Sequence, residues 1–99
     1  MKPTPRVGEM YQSPSARSSI RCKVYDGPPM TGRYIRTLEV EEIFGPVLDS
    51  LDSDRFVTIR VEEGWINIWT SRHTRGRGVD FAYCVGIDHR IACEQRVNR

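Results

Sequence analysis

Val61-Glu62-Glu63-Gly64-Trp65-Ile66-Asn67-Ile68-Trp69 is the stretch on which the fold turns. Just before it, Arg55–Val61 reads RFVTIRV, with Val57, Ile59 and Val61 on one side and Phe56, Thr58 and Arg60 on the other, the period of a half-buried strand. Gly64 has no Cβ and tolerates positive φ, so Glu-Glu-Gly closes a tight hairpin and WINIW is its return strand. On that period Ile66 and Ile68 join Val57, Ile59 and Val61 in the core. Trp65, Asn67 and Trp69 then face the other way, with the two indoles about 13 Å apart at strand rise. Two exposed tryptophans are therefore the expectation.

Working outward, period-two alternation recurs and no stretch keeps an apolar stripe at helical spacing. In Ile20–Tyr25, IRCKVY, the residues Ile20, Cys22 and Val24 oppose Arg21, Lys23 and Tyr25. Asp26–Gly32, DGPPMTG, follows with two glycines and two prolines and reads as a loop. Arg33–Phe44, RYIRTLEVEEIF, supplies Leu38 and Val40 as inward candidates before Gly45-Pro46 bends the chain. The polar run LDSLDSD, Leu48–Asp54, reads as a loop. After the hairpin, Ser71–Gly78 is a cationic glycine-containing loop, and Val79–Val85 alternates again with Val79, Phe81, Tyr83 and Val85 on one face.

The ends differ from this middle. Residues 1–18, with Pro3, Pro5, Pro14 and a serine cluster, read as a flexible leader, because they carry too little apolar surface to order themselves. Residues 88–99 read as a tail with a short helix starting at Asp88 and anchored by Ile91. Residues 19–87 are then one β domain, since 99 residues support a single core. Close-spaced strands joined by Gly/Pro turns, with no crossover helix between them, predict an all-β fold, a small antiparallel barrel of five to six strands.

Composition narrows the function classes. With 38% apolar and 28% charged residues the chain has ordinary globular usage. It has no apolar run long enough for a membrane-spanning helix and no secretory signal at its start. Three cysteines, Cys22, Cys84 and Cys93, cannot all pair with one another, and free thiols in a reducing intracellular, cytoplasmic setting are expected. The net charge of +2 conceals a segregation: residues 39–63 hold eight acidic and two basic side chains, between basic flanks. That pattern is unlike the uniform basic face of a dedicated nucleic-acid binder.

The succession of short motifs resembles the bacterial Src-homology-3-type (SH3b-like) family. Those modules run from a first strand into a Gly-Pro loop, then a short strand, a Gly-Glu-hydrophobic step, a tryptophan-led strand and a Gly-Trp turn. This chain shows Val24-Tyr25-Asp26-Gly27-Pro28-Pro29, Thr31–Leu38, Glu41-Glu42-Ile43-Phe44, Phe56–Val61 and Gly64-Trp65-Ile66. The match covers roughly residues 20–70, with Phe56 where the family has its first tryptophan and Glu41 where it has glycine. Neither the arginine loop nor the long tail belongs to the pattern. The resemblance implies a small barrel of Src-homology-3-like type that binds a peptide, a cell-wall glycan or a neighbouring domain.

Four sets of residues carry candidate chemistry. Tyr25, Tyr34, Trp65 and Trp69 form an aromatic strip suited to an extended peptide, with Glu62, Glu63 and Asp26 as an acidic rim for a basic ligand residue. Arg72, Arg75 and Arg77, on one glycine-spaced loop, suit phosphates, which makes a nucleic-acid or polyanion-binding module the alternative. Cys22, Cys84, His89 and Cys93 are zinc-type ligands, but their spacing departs from a zinc knuckle and no metal or cofactor is expected. Paired carboxylates at Glu41-Glu42 and Glu62-Glu63 point to opposite faces of a strand, and the only histidines, His73 and His89, sit in a cationic loop and in the tail, so no enzyme is expected. The leading expectation is a non-catalytic protein-interaction module whose partner is a protein or peptide, with no membrane and no small-molecule substrate. A third alternative is a structural domain of a larger protein.

Overall fold

The computed structural model describes residues 4–53, 55–70 and 78–88. Every regular element among them is a strand: β1 (Glu9–Gln12), β2 (Lys23–Tyr25), β3 (Tyr34–Thr37), β4 (Ile43–Phe44), β5 (Asp49–Asp52), β6 (Phe56–Val61), β7 (Gly64–Thr70) and β8 (Tyr83–Ile87). They form two antiparallel sheets, one of three strands in the order β4-β1-β8 and one of five in the order β3-β2-β7-β6-β5. The all-β expectation holds, in two sheets. No helix among the described residues is long and apolar enough to cross a membrane.

The hairpin forms as its alternation requires. Val57, Ile59, Val61, Ile66 and Ile68 are all buried, and Val61 pairs with Gly64 across the two-residue loop Glu62-Glu63. Gly64 is needed for more than the turn. Its φ is +157°, and a Cβ there would lie 2.3 Å from the carbonyl oxygen of Tyr25 on β2. β2 reaches that closely because Val24 and Tyr25 pair with Ile66 and Trp65.

The alternation breaks once, and the break corrects a central expectation. Val57 pairs with Trp69 but Thr58 pairs with Asn67, so the register shifts and Ile68 is the extra residue of a β-bulge. Ile68 and Trp69 are consecutive, yet both point inward, and Trp69 is only 9% exposed. Its ring stands 5.9 Å from that of Tyr11, which in turn stacks on Phe44 at 6.2 Å. Trp69 is thus a core residue and Trp65 is half-buried.

Tyr11 also overturns the flexible leader. Residues 9–12 form β1, whose Tyr11 is 1% exposed and fills the space between the two sheets. Its hydroxyl donates to Glu9 Oε1 at 3.2 Å, and burial, reinforced by the Glu9 charge, pushes its titration upward. Buried Ser13 pins the far end of this segment. Its N–H donates to the Glu42 carbonyl at 2.9 Å, its hydroxyl accepts the Glu42 N–H at 2.9 Å, and the same hydroxyl donates to the Glu39 carbonyl. The segment is ordered by Tyr11 in the core together with the pairing of β1 to β4 and β8 and the Ser13 hydrogen bonds.

Three further expectations change. Leu48–Asp54 is not all loop, since Asp49–Asp52 is β5, an edge strand paired with β6. Its polar sequence suits an edge, where main-chain hydrogen bonds hold one side and carboxylates discourage further pairing on the other. Leu38 is buried but Val40 is 41% exposed, because the chain turns between Glu39 and Glu42, with Glu41 at a φ of 56°. Tyr83 and Val85 are 53% and 48% exposed, so the apolar face of β8 is turned outward while Ala82 enters the core and Phe81 packs against it. The tail expected from residue 88 lies, beyond Asp88, outside the described residues.

Gly64→Ala should lower stability by about 2 kcal/mol or more, since the added methyl must displace the β2 main chain rather than a flexible side chain. Urea unfolding of the two proteins measures it. A change within a few tenths of a kcal/mol would show that β2 does not press against the turn.

Candidate functional site

Residues 26–33 fold into a narrow finger. At its base the Asp26 N–H donates to the Arg33 carbonyl at 2.9 Å and the Arg33 N–H to Asp26 Oδ1 at 2.6 Å. At its tip the Pro28 carbonyl accepts from the N–H groups of Thr31 and Gly32 at 3.1 and 3.0 Å and from the Thr31 hydroxyl at 3.0 Å. The two arms touch back to back: a Cβ on Gly32 would lie 2.3 Å from the Gly27 oxygen. Met30 therefore sits at the tip with a φ of 78° and is 96% exposed. Left-handed backbone costs a residue of this kind about 1–2 kcal/mol, and the finger's hydrogen bonds hold it there.

Across from the finger, Ser53 closes the β5–β6 connection. Its hydroxyl donates to the Phe56 carbonyl at 3.0 Å and accepts the Phe56 N–H at 3.2 Å. Between the two walls is a cleft of about 410 Å³. The rings of Tyr25, Phe56 and Trp65 line it together with Pro28, Pro29 and Met30 from the finger. Arg55, Ser53, Thr58 and Asn67 supply its polar groups. A volume in the range of roughly 300–1,000 Å³, flat apolar walls and few polar groups make a ligand site.

The expected site residues do not all share this place. Tyr25 and Trp65 line the cleft, and Tyr34 is beside it, its ring edge-on to Tyr25 at 6.4 Å and its hydroxyl bonded to Thr37 Oγ1 at 2.8 Å. Trp69 belongs to the core. Glu62 and Glu63 line a second, more polar groove of about 430 Å³, with Glu42, Ile43, Phe44, Gly45 and Val61. Glu62 and Glu63 are thereby displaced from the aromatic cleft, while Asp26 at the finger's base accepts the Arg33 N–H, and among the described lining residues the charged one is Arg55. Phe56, Pro28, Pro29, Met30 and Asn67 were missed as site residues. Their signals were present in the outward alternation of Phe56 and Asn67 and in the paired glycines that force the finger.

Glu63 is further committed by a fork. Arg36 on β3 donates through Nε and Nη2 to Glu63 and through Nη1 and Nη2 to Glu42, the latter two at 3.0 and 2.6 Å. The bidentate hydrogen bonds raise the Arg36 pKa still further and hold the Glu42 carboxyl below its usual range, helped by the Glu39 N–H. This fork joins β3, the turn before β4 and the β6–β7 hairpin loop.

The thiols part company as well. Cys22 is buried, donates to the Phe81 carbonyl and has its pKa pushed by burial to about 12. Cys84 is exposed beside Glu9 Oε2 at 3.6 Å, and partial desolvation raises its pKa. Among the described residues no three His, Cys, Asp or Glu side chains gather as metal ligands. His89 and Cys93 lie outside the described residues, as do Arg72, Arg75 and Arg77. Compared with family models, with curated proteins and with solved structures, the chain matches none.

Glu42 is ionised more readily folded than unfolded, so its contribution to stability is complete above the unfolded value near 4.5 and is lost as pH falls through the lower folded value. Arg36→Gln should flatten this acid-side slope, and urea midpoints between about pH 3 and 6 for both proteins measure it. An unchanged slope would remove the fork from the account. In acrylamide quenching, one indole class should be accessible and one protected, with Trp65→Phe removing the accessible class.

Proposed function

We propose that this protein is a non-catalytic interaction module that binds an extended peptide in the cleft between the 26–33 finger and Phe56. The observation that carries this reading is the convergence of three aromatic rings, two prolines and an exposed methionine on one groove with a rigid floor. Flat, stiff side chains contribute large contact area at small entropic cost, which suits a ligand that is itself extended. The backbone strain at Met30 supports it too, because a large apolar side chain displayed at positive φ has a use at a contact surface and none in the core.

The architecture is proposed as a relative of the Src-homology-3-like barrel, on the motif order along residues 20–70. Tyr25, Phe56 and Trp65 are three aromatic members of that motif order, and all line the cleft. The ligand differs from the one the acidic rim suggested. With Glu62 and Glu63 in the other groove, apolar contact rather than attraction of a basic residue governs the cleft.

Screening a random peptide library against the protein, followed by ¹⁵N chemical-shift mapping of hits, tests the reading. Shifts should centre on Trp65, Phe56 and residues 27–32. Trp65→Ala should weaken the best hit by about 2 kcal/mol, roughly thirtyfold, with the remaining spectrum preserved. Shifts centred on the β4 and β8 surface instead, with Trp65→Ala binding as tightly as the parent, would sink it.

A further inference from the structure

We propose that β8 is the contact strand of a symmetric dimer, in which two copies of this chain pair β8 against β8, antiparallel, about a two-fold axis at Val85. The aromatic cleft lies on the five-stranded sheet and takes no part in this contact. The two sheets end on four edges, β3 and β5 in one, β4 and β8 in the other. An edge strand presents unpaired N–H and C=O groups to any strand that approaches, and proteins guard such edges with charge, proline or brevity. Asp49 and Asp52 guard β5, Arg36 guards β3, and β4 is two residues long. By contrast β8, Tyr83-Cys84-Val85-Gly86-Ile87, is five residues long with no charge and no proline. Its outer side has no neighbouring strand among the described residues, and Tyr83, Cys84, Val85 and Gly86 are all exposed. Along β1 the register passes from Met10 with Gly86 to Tyr11 with Cys84, so Val85 has no β1 partner. That bulge bends the edge and leaves it uncharged.

The order of residues in β8 selects a second copy as the occupant. About a two-fold axis at Val85, Val85 faces Val85 of the second copy, Tyr83 faces its Ile87, and Cys84 faces its Gly86. Pairs of an aromatic with a β-branched residue stabilise antiparallel strands, and in this register no charge within β8 opposes a like charge. Gly86 supplies the room. A Cβ built there would meet nothing within 4 Å, so the space that Cys84 of the second copy enters is already open. On the outer face of the same sheet, exposed Ile43 and Tyr83 flank Gln12 in one cross-strand row, which Ile87 of the second copy extends. Because a two-fold contact uses the same edge of both copies, assembly through β8 closes at the dimer.

Sedimentation equilibrium of the whole chain, from about 10 µM to about 1 mM, tests this. The mass should double and rise no further, with a dissociation constant between about 1 µM and 1 mM, as suits a contact of one short strand on each side. Gly86→Glu, whose side chain enters open space in the single chain, should weaken the dimer at least about tenfold. Val85→Glu and Val85→Lys each set like charges face to face across the axis and should weaken it by at least as much, while an equimolar mixture of the two should dimerise at least about tenfold more tightly than either alone. The indole resonance of Trp65 should keep its position in every variant, which reports the fold of the five-stranded sheet separately from the contact. A parent chain that stays monomeric at 1 mM overturns the inference, as does a mass that keeps growing past the dimer. A dimer that Gly86→Glu and Val85→Glu leave unchanged, or a mixture of the two Val85 variants that stays apart, overturns it as well.

Discussion

A single extra residue in β7 organises this molecule. Because Ile68 bulges out of register with β6, Trp69 rotates from the outer face to the inner one and meets Tyr11, which stacks on Phe44. Those three rings come from β7, β1 and β4, so their packing joins the five-stranded sheet to the three-stranded one. Without the bulge, Trp69 would lie on Trp65's face, and the contact that secures β1 would be missing. A burial of this kind is worth about 3–5 kcal/mol on truncation to alanine, a large share of the stability of a domain this small.

Around that contact the two ends of the hairpin do different work. At the loop end, Gly64 admits the β2 main chain and Arg36 forks between Glu63 and Glu42, so Glu63, expected to greet a ligand, is instead holding strands together. At the other end, the finger and the β5–β6 connection stand apart and leave the cleft between them. The aromatic and acidic groups, neighbours in sequence at Glu62-Glu63-Gly64-Trp65, therefore face different grooves. They part at the turn, because Glu62 and Glu63 form the loop beside Glu42 and Phe44 whereas Trp65 already lies in the sheet, paired with Tyr25 and Arg60.

The parts legible beforehand were those governed by local rules. Alternation in RFVTIRV placed Val57, Ile59 and Val61 inside, IRCKVY placed Cys22 and Val24 inside, and the paired glycines and prolines of DGPPMTG marked a loop. The cleft was half legible, through Tyr25 and Trp65. What escaped depended on partners distant in sequence. Tyr11 looked like part of a flexible leader because prolines and serines dominate the segment around it, and Asp49–Asp52 looked like a loop because its order comes from β6. Val79–Val85 shows clean alternation, yet of that face Phe81 packs against the core while Val79, Tyr83 and Val85 are exposed, since period alone does not say which residues meet the core.

The amino-acid sequence by itself determined the all-β character, the hairpin centred on Glu62-Glu63 and the turns at glycine and proline, because each follows from the backbone preferences of residues a few positions apart. Tertiary structure alone decided which indole is buried, where β1 docks and that Glu62 and Glu63 face a groove other than the aromatic cleft. Those outcomes follow from cross-strand register, and register is settled by the packing of whole faces against one another: shifting the pairing by one residue exchanges inside and outside.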